Sequence, residues 1–525
     1  EYDPKTGKWT NTFRLQFDHG FLLNVKDVRG FVGATAQLFE AMSIFRDLVL
    51  TNMQGMLNQD LVIVAEFDVS NQNIMIGDLK LDWFEMKMSW DSKNKTWTTT
   101  MQLKFDVSAL LKGGVDLKKA QGLITSTIMN SLKLFMQELL TQSKQEGKWG
   151  ALLRQMLKEN FSVFSNLDLS AYGLKMAVDG KNIGITGLTF AISYRNGKMV
   201  ASIKTNISMD AATRAAMSAK DSTFRTHAQS EGLKTLKGFE ASIPTELLSE
   251  GAELSMAFES VNVALGNVPG KDGDNKPFQT SSFEVKLIYR ASDKKWVSSI
   301  EVHADASLVG QTGLKQAATL LAKFQEQMVT DLKKYDAALF TNGFYSAAAL
   351  DNLSFDGTAL LGDLLGKGVK LTVNGCVLGA SYDAKSDKWV TGVNLGYEAS
   401  KPITDPQKQR EIYQVLGAKI FSQENSKTNL RASEIATLSA DSKVWTILTV
   451  LPPTTNIMSF AFGGNLGFTL GAPVKVSAGP GSVPSKNAIK EEGDKYLNRE
   501  RVKKLAIING KNVEYYDTYG WDPAV

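Results

Sequence analysis

YDPKTGKW at residues 2–9, WDSKNKTW at 90–97, YRNGKM at 194–199, YRASDKKW at 289–296 and YDAKSDKW at 382–389 share one pattern: an aromatic, a short polar segment, and a closing aromatic or methionine. The closing residues Trp9, Trp97, Met199, Trp296 and Trp389 lie 88, 102, 97 and 93 residues apart. A weaker echo, ADSKVW at 440–445, breaks the period. Return of one signature at a near-constant interval predicts tandem structural units of about 95 residues.

The flanks give the pattern its physical meaning. Apolar residues alternate before each complete turn, as in Phe84, Met86, Met88 and Trp90, or Phe283, Val285, Leu287 and Tyr289, or Cys376, Leu378, Ala380 and Tyr382. The alternation resumes in phase afterwards, through Phe13, Leu15 and Phe17, Met101, Leu103 and Phe105, Ile300, Val302 and Ala304, and Val393, Leu395 and Tyr397. Period two marks strands with one buried face, and the Asp, Asn, Gly, Ser and Lys between them supply turn chemistry. Hairpins are expected at each site, with polar residues such as Arg14, Lys104 and Glu301 on the solvent side. The first hairpin is incomplete: the partner of strand 10–17 would lie upstream of Glu1. The chain therefore reads as a processed product or an excerpt. Its open sheet edge should be filled by upstream residues, by the tail, or by a neighbouring molecule.

Helical stripes follow the hairpins at i, i+3/i+4 spacing: Leu38, Met42, Phe45 and Val49; Ile124, Ile128, Leu132, Phe135 and Leu139; Leu314, Ala318, Leu321, Phe324 and Met328. Asp18, Asp106, Ser208, Asp305 and Glu398, nine residues beyond each closing aromatic, are expected to cap the helices. The fold class is thus α+β, in tandem units each made of an antiparallel hairpin-based sheet covered by helices. The expected division is 1–58 (a partial unit), 59–160, 161–250, 251–349 and 350–430, then a degenerate strand-rich unit at 431–477. A linker and C-terminal tail follow at 478–525, the tail carrying the Asn-Gly hairpin candidate LAIINGKNVEYY.

Composition bounds the function. The 525 residues are 43% apolar and 22% charged, as in folded globular protein. The net charge of +4 is spread along the chain without a Lys/Arg block, which argues against a nucleic-acid partner or a polybasic membrane surface. One cysteine, Cys376, excludes an intrachain disulfide, and no apolar run reaches the length of a membrane span.

A search for catalytic and ligand chemistry finds no complete set. His303 takes an outward strand position and reads as solvent-facing, His19 sits at a strand-to-helix junction, and His227 lies in the polar stretch FRTHAQSEG. None has zinc-site spacing. Cys376, in an inward register, reads as a small buried residue. GDLLGKGVK at 362–370 has the wrong glycine spacing for a phosphate loop, and KDGDNK at 271–276 lacks the closing Glu of a calcium loop. The aromatic pairs Trp90/Trp97, Tyr289/Trp296 and Tyr382/Trp389 read as cross-strand clamps before sugar platforms. Sequons occur at Asn94, Asn160, Asn206 and Asn352, of which Asn94 lies at an expected hairpin tip. No catalytic residue, metal ligand or cofactor is assigned. The expected function is a non-enzymatic structural or surface protein that self-associates head to tail. A carrier of lipid or other amphipathic ligands is the alternative and a polysaccharide-acting enzyme the third reading, with a glycan the other ligand considered. The expected location is extracellular or cell-surface, with the cytoplasm as its alternative.

Overall fold

The computed structural model describes residues 2–400 apart from 4–7, 53–58, 93–95, 112–116, 196, 249–250, 292, 363–367 and 386–387, together with strands at 443–451, 502–508 and 511–517. The protein is mixed α+β, with a large multi-stranded sheet and helices packed on its apolar face. It forms two compact units: residues 1–175, 184–208 and 235–255, and residues 176–183, 209–234 and 256–525.

In the first unit, β1 (Tyr2–Asp3) pairs with the start of β2 (Lys8–Leu15), setting Tyr2 opposite Trp9. Helix α1 (Val28–Asn52) then carries the chain to β3 (Asp60–Asp68), which runs parallel to β2. Strands β4 (Ile74–Ile76), β5 (Leu79–Asp91) and β6 (Thr96–Phe105) follow, with β5 antiparallel to β3, β4 and β6. Helices α2 (Ser108–Leu111), α3 (Leu117–Ser143) and α4 (Lys148–Lys158) lead to β7 (Ser162–Asp168), parallel to β6. Strand β8 (Lys175–Val178) belongs to the second unit from Met176 on, and β9 (Lys181–Arg195) pairs antiparallel with β7 and with β10 (Lys198–Ser208).

Each turn of the expected pattern sits between antiparallel strands, with Trp90 opposite Trp97 and Tyr194 opposite Met199. The sheet as a whole is mixed and not antiparallel as expected. The reason is length: a long helical connection after the second hairpin strand brings the chain back in the direction it left. The α1 stripe buries Leu38, Met42 and Val49, and the α3 stripe is buried throughout. Between them and the sheet Phe31 meets Phe84 edge-on at 5.1 Å and Phe135 at 5.7 Å, while Phe67 stacks on Phe84 at 4.8 Å.

The second unit includes α5 (Ala211–Ser218) and most of α6 (Thr223–Lys237). Helix α7 (Thr245–Leu248) and the start of β11 (Ala252–Glu259) belong to the first unit; from Met256 the second unit continues through β12 (Ala264–Pro269), β13 (Asn275–Arg290) and β14 (Lys295–Asp305). Helix α8 (Leu314–Tyr335) connects β14 to the parallel β15 (Phe344–Asp351). Beyond β16 (Phe355–Asp356) and α9 (Thr358–Leu361), β17 (Leu371–Asp383) pairs antiparallel with β15 and with β18 (Lys388–Ala399). Strand β19 (Lys443–Leu451) is parallel to β18. Tyr289 faces Trp296 and Tyr382 faces Trp389 across their turns. Two tail strands, β20 (Val502–Ile508) and β21 (Lys511–Asp517), pair with one another around the Asn-Gly dipeptide.

The expected boundary at 349 falls inside β15, which is paired on both sides. Those at 58, 250 and 430, and the linker from 478, lie outside the described residues.

The acidic strand ends act differently from expectation. Asp106 and Asp305 accept hydrogen bonds from the N–H two residues on, in Ser108 at 2.9 Å and Ser307 at 3.0 Å. Asp68, Asp168 and Asp356 do the same to Ser70, Ser170 and Thr358. These are Asx turns, which end a strand by satisfying its next donor locally. Among the members whose side chains are described, Asp18 alone caps a full helical turn, the 3-10 turn His19–Leu22. Ser208 yields that role to Asp210, which receives Thr213 N–H at 2.7 Å at the start of α5. The side chain of Glu398 lies outside the described residues.

Helix α8 starts hard against strand β12. A Cβ at Gly313 would lie 2.0 Å from the Pro269 carbonyl oxygen, a backbone atom that cannot rotate away. Gly313→Ala should therefore cost more than about 2 kcal/mol, well outside the range of surface substitutions, read as a lower denaturant midpoint. A midpoint within about 0.5 kcal/mol of wild type would show that α8 does not abut β12 this closely.

Candidate functional site

Alternation on β13 and β14 sends Phe283, Val285, Leu287, Ile300 and Val302 to one face and Glu284, Lys286, Glu301 and His303 to the other. The antiparallel register sets Glu284 opposite Glu301. The parallel register sets Glu301 and His303 beside Ala347 and Ala349, and Asp351 continues that face of β15. Two carboxylates directly opposed would repel, but Lys286 Nζ lies 2.5 Å from Glu301 Oε2 and 3.1 Å from Glu284 Oε2. His303 Nε2 is 3.3 Å from Glu301 Oε1, and its Nδ1 is 2.9 Å from Asp351 Oδ2.

This face is covered in the second unit. Glu301 is 2% exposed, and Ala347, Ala349 and Val377 form a separate buried apolar cluster on the same side. Glu301 therefore corrects the expectation of a solvent-facing residue, and so does His303, whose side chain is 23% exposed and engaged at both ring nitrogens. Period two shows which residues share a face. It does not show whether a second layer covers that face.

The electrostatics follow from the geometry. Burial alone would lower the pKa of His303, but hydrogen bonds to Asp351 and Glu301, with their charges, raise it from 6.5 to about 10. Burial would raise that of Glu301, yet the neighbouring Lys286 ammonium and the His303 imidazolium hold it below the usual carboxylate range. With a carboxylate at each ring nitrogen, His303 is held as imidazolium. It has no lone pair at neutral pH with which to take a proton or bind a metal.

Glu284, Glu301 and His303 place ligand atoms within 4.8 Å of one another, which is the geometry of a possible cation site. Lys286 already fills it. A metal would have to expel the ammonium and remove a proton from His303. The turn at 271–276 repeats the arrangement in the open: Lys276 Nζ is 2.5 Å from Asp272 Oδ2 and 3.9 Å from Asp274 Oδ2. Its hydrogen bond to Asp272 lowers that carboxyl's pKa.

The other sequence candidates are dispersed. His227 lies on α6, stacks on Tyr335 at 4.1 Å, and places Nδ1 2.6 Å from Asp179 Oδ2. Asp179 and Gly180 form a left-handed two-residue turn, with φ of 46° and 73°. His19 opens the 3-10 turn capped by Asp18. Cys376 is buried, and desolvation pushes its thiol up to about 12, far from nucleophilic. Residues 363–367 of the phosphate-loop candidate lie outside the described residues, as does Asn94.

Trp90 and Trp97 pack at 5.5 Å, and Tyr289 and Trp296 at 5.4 Å, across their turns. The buried Arg46, paired with Glu159 at 2.7 Å, covers Trp97. That contact suits a clamp better than a sugar platform. Sequence reading missed Glu284, Lys286 and Asp351. The signal was available in Glu-x-Lys on one strand facing Glu-x-His on the next, once the two are laid in register.

The chain matches no protein-family model, and none of the curated proteins is similar to it.

Lys286→Met should destabilise by about 3–5 kcal/mol, because it leaves two carboxylates without their shared cation. Lys286→Met combined with Glu301→Leu should recover a large part of that loss in urea unfolding. A single-variant cost below about 1 kcal/mol would show the pair to be solvated. The raised His303 pKa gives a second expectation. The folded protein keeps a proton that the unfolded chain releases above 6.5, so this contribution is full below pH 6.5 and is lost as pH rises toward about 10. Urea midpoints across that window should fall in wild type and flatten in His303→Gln; equal slopes would refute the ion pairing.

Proposed function

We propose that this is a non-enzymatic structural protein, built from tandem sheet-and-helix units. In this reading it self-associates through strand or tail exchange into a larger assembly or filament, at or outside the cell surface. The observation that carries the reading is the recurrence of one register. Trp90 faces Trp97, Tyr194 faces Met199, Tyr289 faces Trp296 and Tyr382 faces Trp389, each across a hairpin turn. The second strand of the hairpin at β5/β6, at β13/β14 and at β17/β18 then leads to a parallel strand. A sheet extended by repeating one step has edges that another copy can extend.

Two further points support it. The best-formed polar cluster is charge-compensated internally, with its histidine held protonated, an arrangement suited to holding strands together and poorly suited to proton transfer. In the first unit, Phe31, Phe39, Phe67, Phe84 and Phe135 fill the space between sheet and helices that a lipid carrier would keep open. The tail strands β20 and β21 form a two-stranded sheet, which is marginal alone in water and gains from docking on a further edge.

Light scattering and electron microscopy of the intact chain should find concentration-dependent polymers. Deleting 502–525 should dissolve them while circular dichroism and the main unfolding transition persist. A monodisperse monomer of the intact chain across the micromolar range would defeat the proposal.

A further inference from the structure

In the second unit, the sheet face turned away from α8 is buried over several strands. Ile288 and Val297 stand opposite one another on β13 and β14. They, Glu301, Ala347, Ala349 and Val377 are each at most 2% exposed. Helix α8 packs on the other side, where Gln325 Nε2 donates to Ser346 Oγ at 2.9 Å. In the first unit the corresponding residues Glu85 and Lys87 of β5, and Thr100 and Gln102 of β6, stay partly exposed. A further layer thus covers the second unit here.

The covered face is shallow. Register sets Gly379 between Ala347 and Gly392, Ala349 beside Val377, and Gly375 beside Gly396. Glycine within a strand marks a place where another backbone comes close. Packed layers interdigitate when large side chains of one meet small residues of the other. The cover for this face should therefore be a thin element carrying bulky apolar residues.

Connectivity narrows the choice. The step from β18 to the parallel β19 repeats the step from β14 to β15 and moves the same way across the sheet. The right-handedness of parallel crossovers assigns both connections to the α8 side. That leaves the part of the unit beyond β19. Among the described strands, β20 and β21 alone lie outside the large sheet, and they belong to the same compact unit. Their sequence supplies Leu505, Ile507, Ile508, Val513, Tyr515 and Tyr516. A two-stranded hairpin is marginal alone in water, and two sheets stack face to face by interlocking their side chains.

We propose that the tail hairpin, β20 and β21, is the layer seated on this face of β13, β14, β15 and β17. The seat uses the hairpin's face and leaves its edges for the pairing proposed above. It is the same seat whether the chain's own tail or a neighbour's fills it, so it does not depend on that assembly.

The test is the rate at which a maleimide labels Ala349→Cys in a Cys376→Ala background, with and without residues 502–525. The intact chain should be protected. The truncated chain should label about tenfold faster or more, with its circular dichroism unchanged, and a synthetic peptide of residues 500–520 should slow it again. Equal protection in both chains would overturn the proposal, because another segment would be the cover. Rapid labelling of the intact chain would overturn it too, as would rapid labelling of the truncated chain that saturating peptide leaves unchanged. Protection in a chain that stays monomeric would uphold the seat while the assembly reading fails.

Discussion

A sheet with one apolar face must be taken out of water, and this chain meets the demand with its connections. The step from β2 to β3 is α1, the step from β6 to β7 passes through α3 and α4, and the step from β14 to β15 is α8. In each case the strand after the helix is parallel to the strand before it. The crossover that reverses the chain's path thus also covers the face. Phe31 between Phe84 and Phe135 is the local form of that constraint, and Gly313 marks where a covering helix presses on backbone.

The opposite face is handled differently in the two units. In the first, Glu66 and Lys104 stand exposed there, and Arg14 pairs with Glu66 in the open, where such a pair contributes little. In the second, Glu301 and Lys286 are buried on that face, and their charges must be compensated in place. A buried lysine between two glutamates adds little net stability over an apolar replacement, because the cost of desolvating the charges offsets their attraction. Sliding β13 by one residue past β14 would turn its lysine and glutamate to the other face and leave Glu301 with His303 alone. The cluster is therefore best understood as a lock on strand alignment.

The hairpins were legible because Phe84, Met86 and Met88 alternate on one side of a turn and Met101, Leu103 and Phe105 on the other. The helices were legible from stripes such as Ile124 to Leu139. Parallel pairing was harder to see, because strand direction is set by connection length and packing and leaves no mark on the strands themselves. The fate of Glu301 and His303 was not legible either: alternation assigns a side, and only tertiary structure decides whether that side is wet. The Asx turns fell between these cases. Asp followed two residues later by Ser or Thr is plain in the sequence at 68, 106, 168, 305 and 356, but its meaning as a strand stop needed the hydrogen bonds.

The lone thiol has an experimental consequence. Cys376 lies mid-strand on β17, flanked by β15 and β18, and is fully buried. Alkylation requires the thiolate, which needs both solvent and a lower pKa than this interior provides. Modification can proceed only from molecules in which the central strands of the second unit have parted. The rate at which a maleimide labels the native protein is therefore a clock for that opening. It needs no engineered probe, and it is silent to fraying elsewhere in the chain.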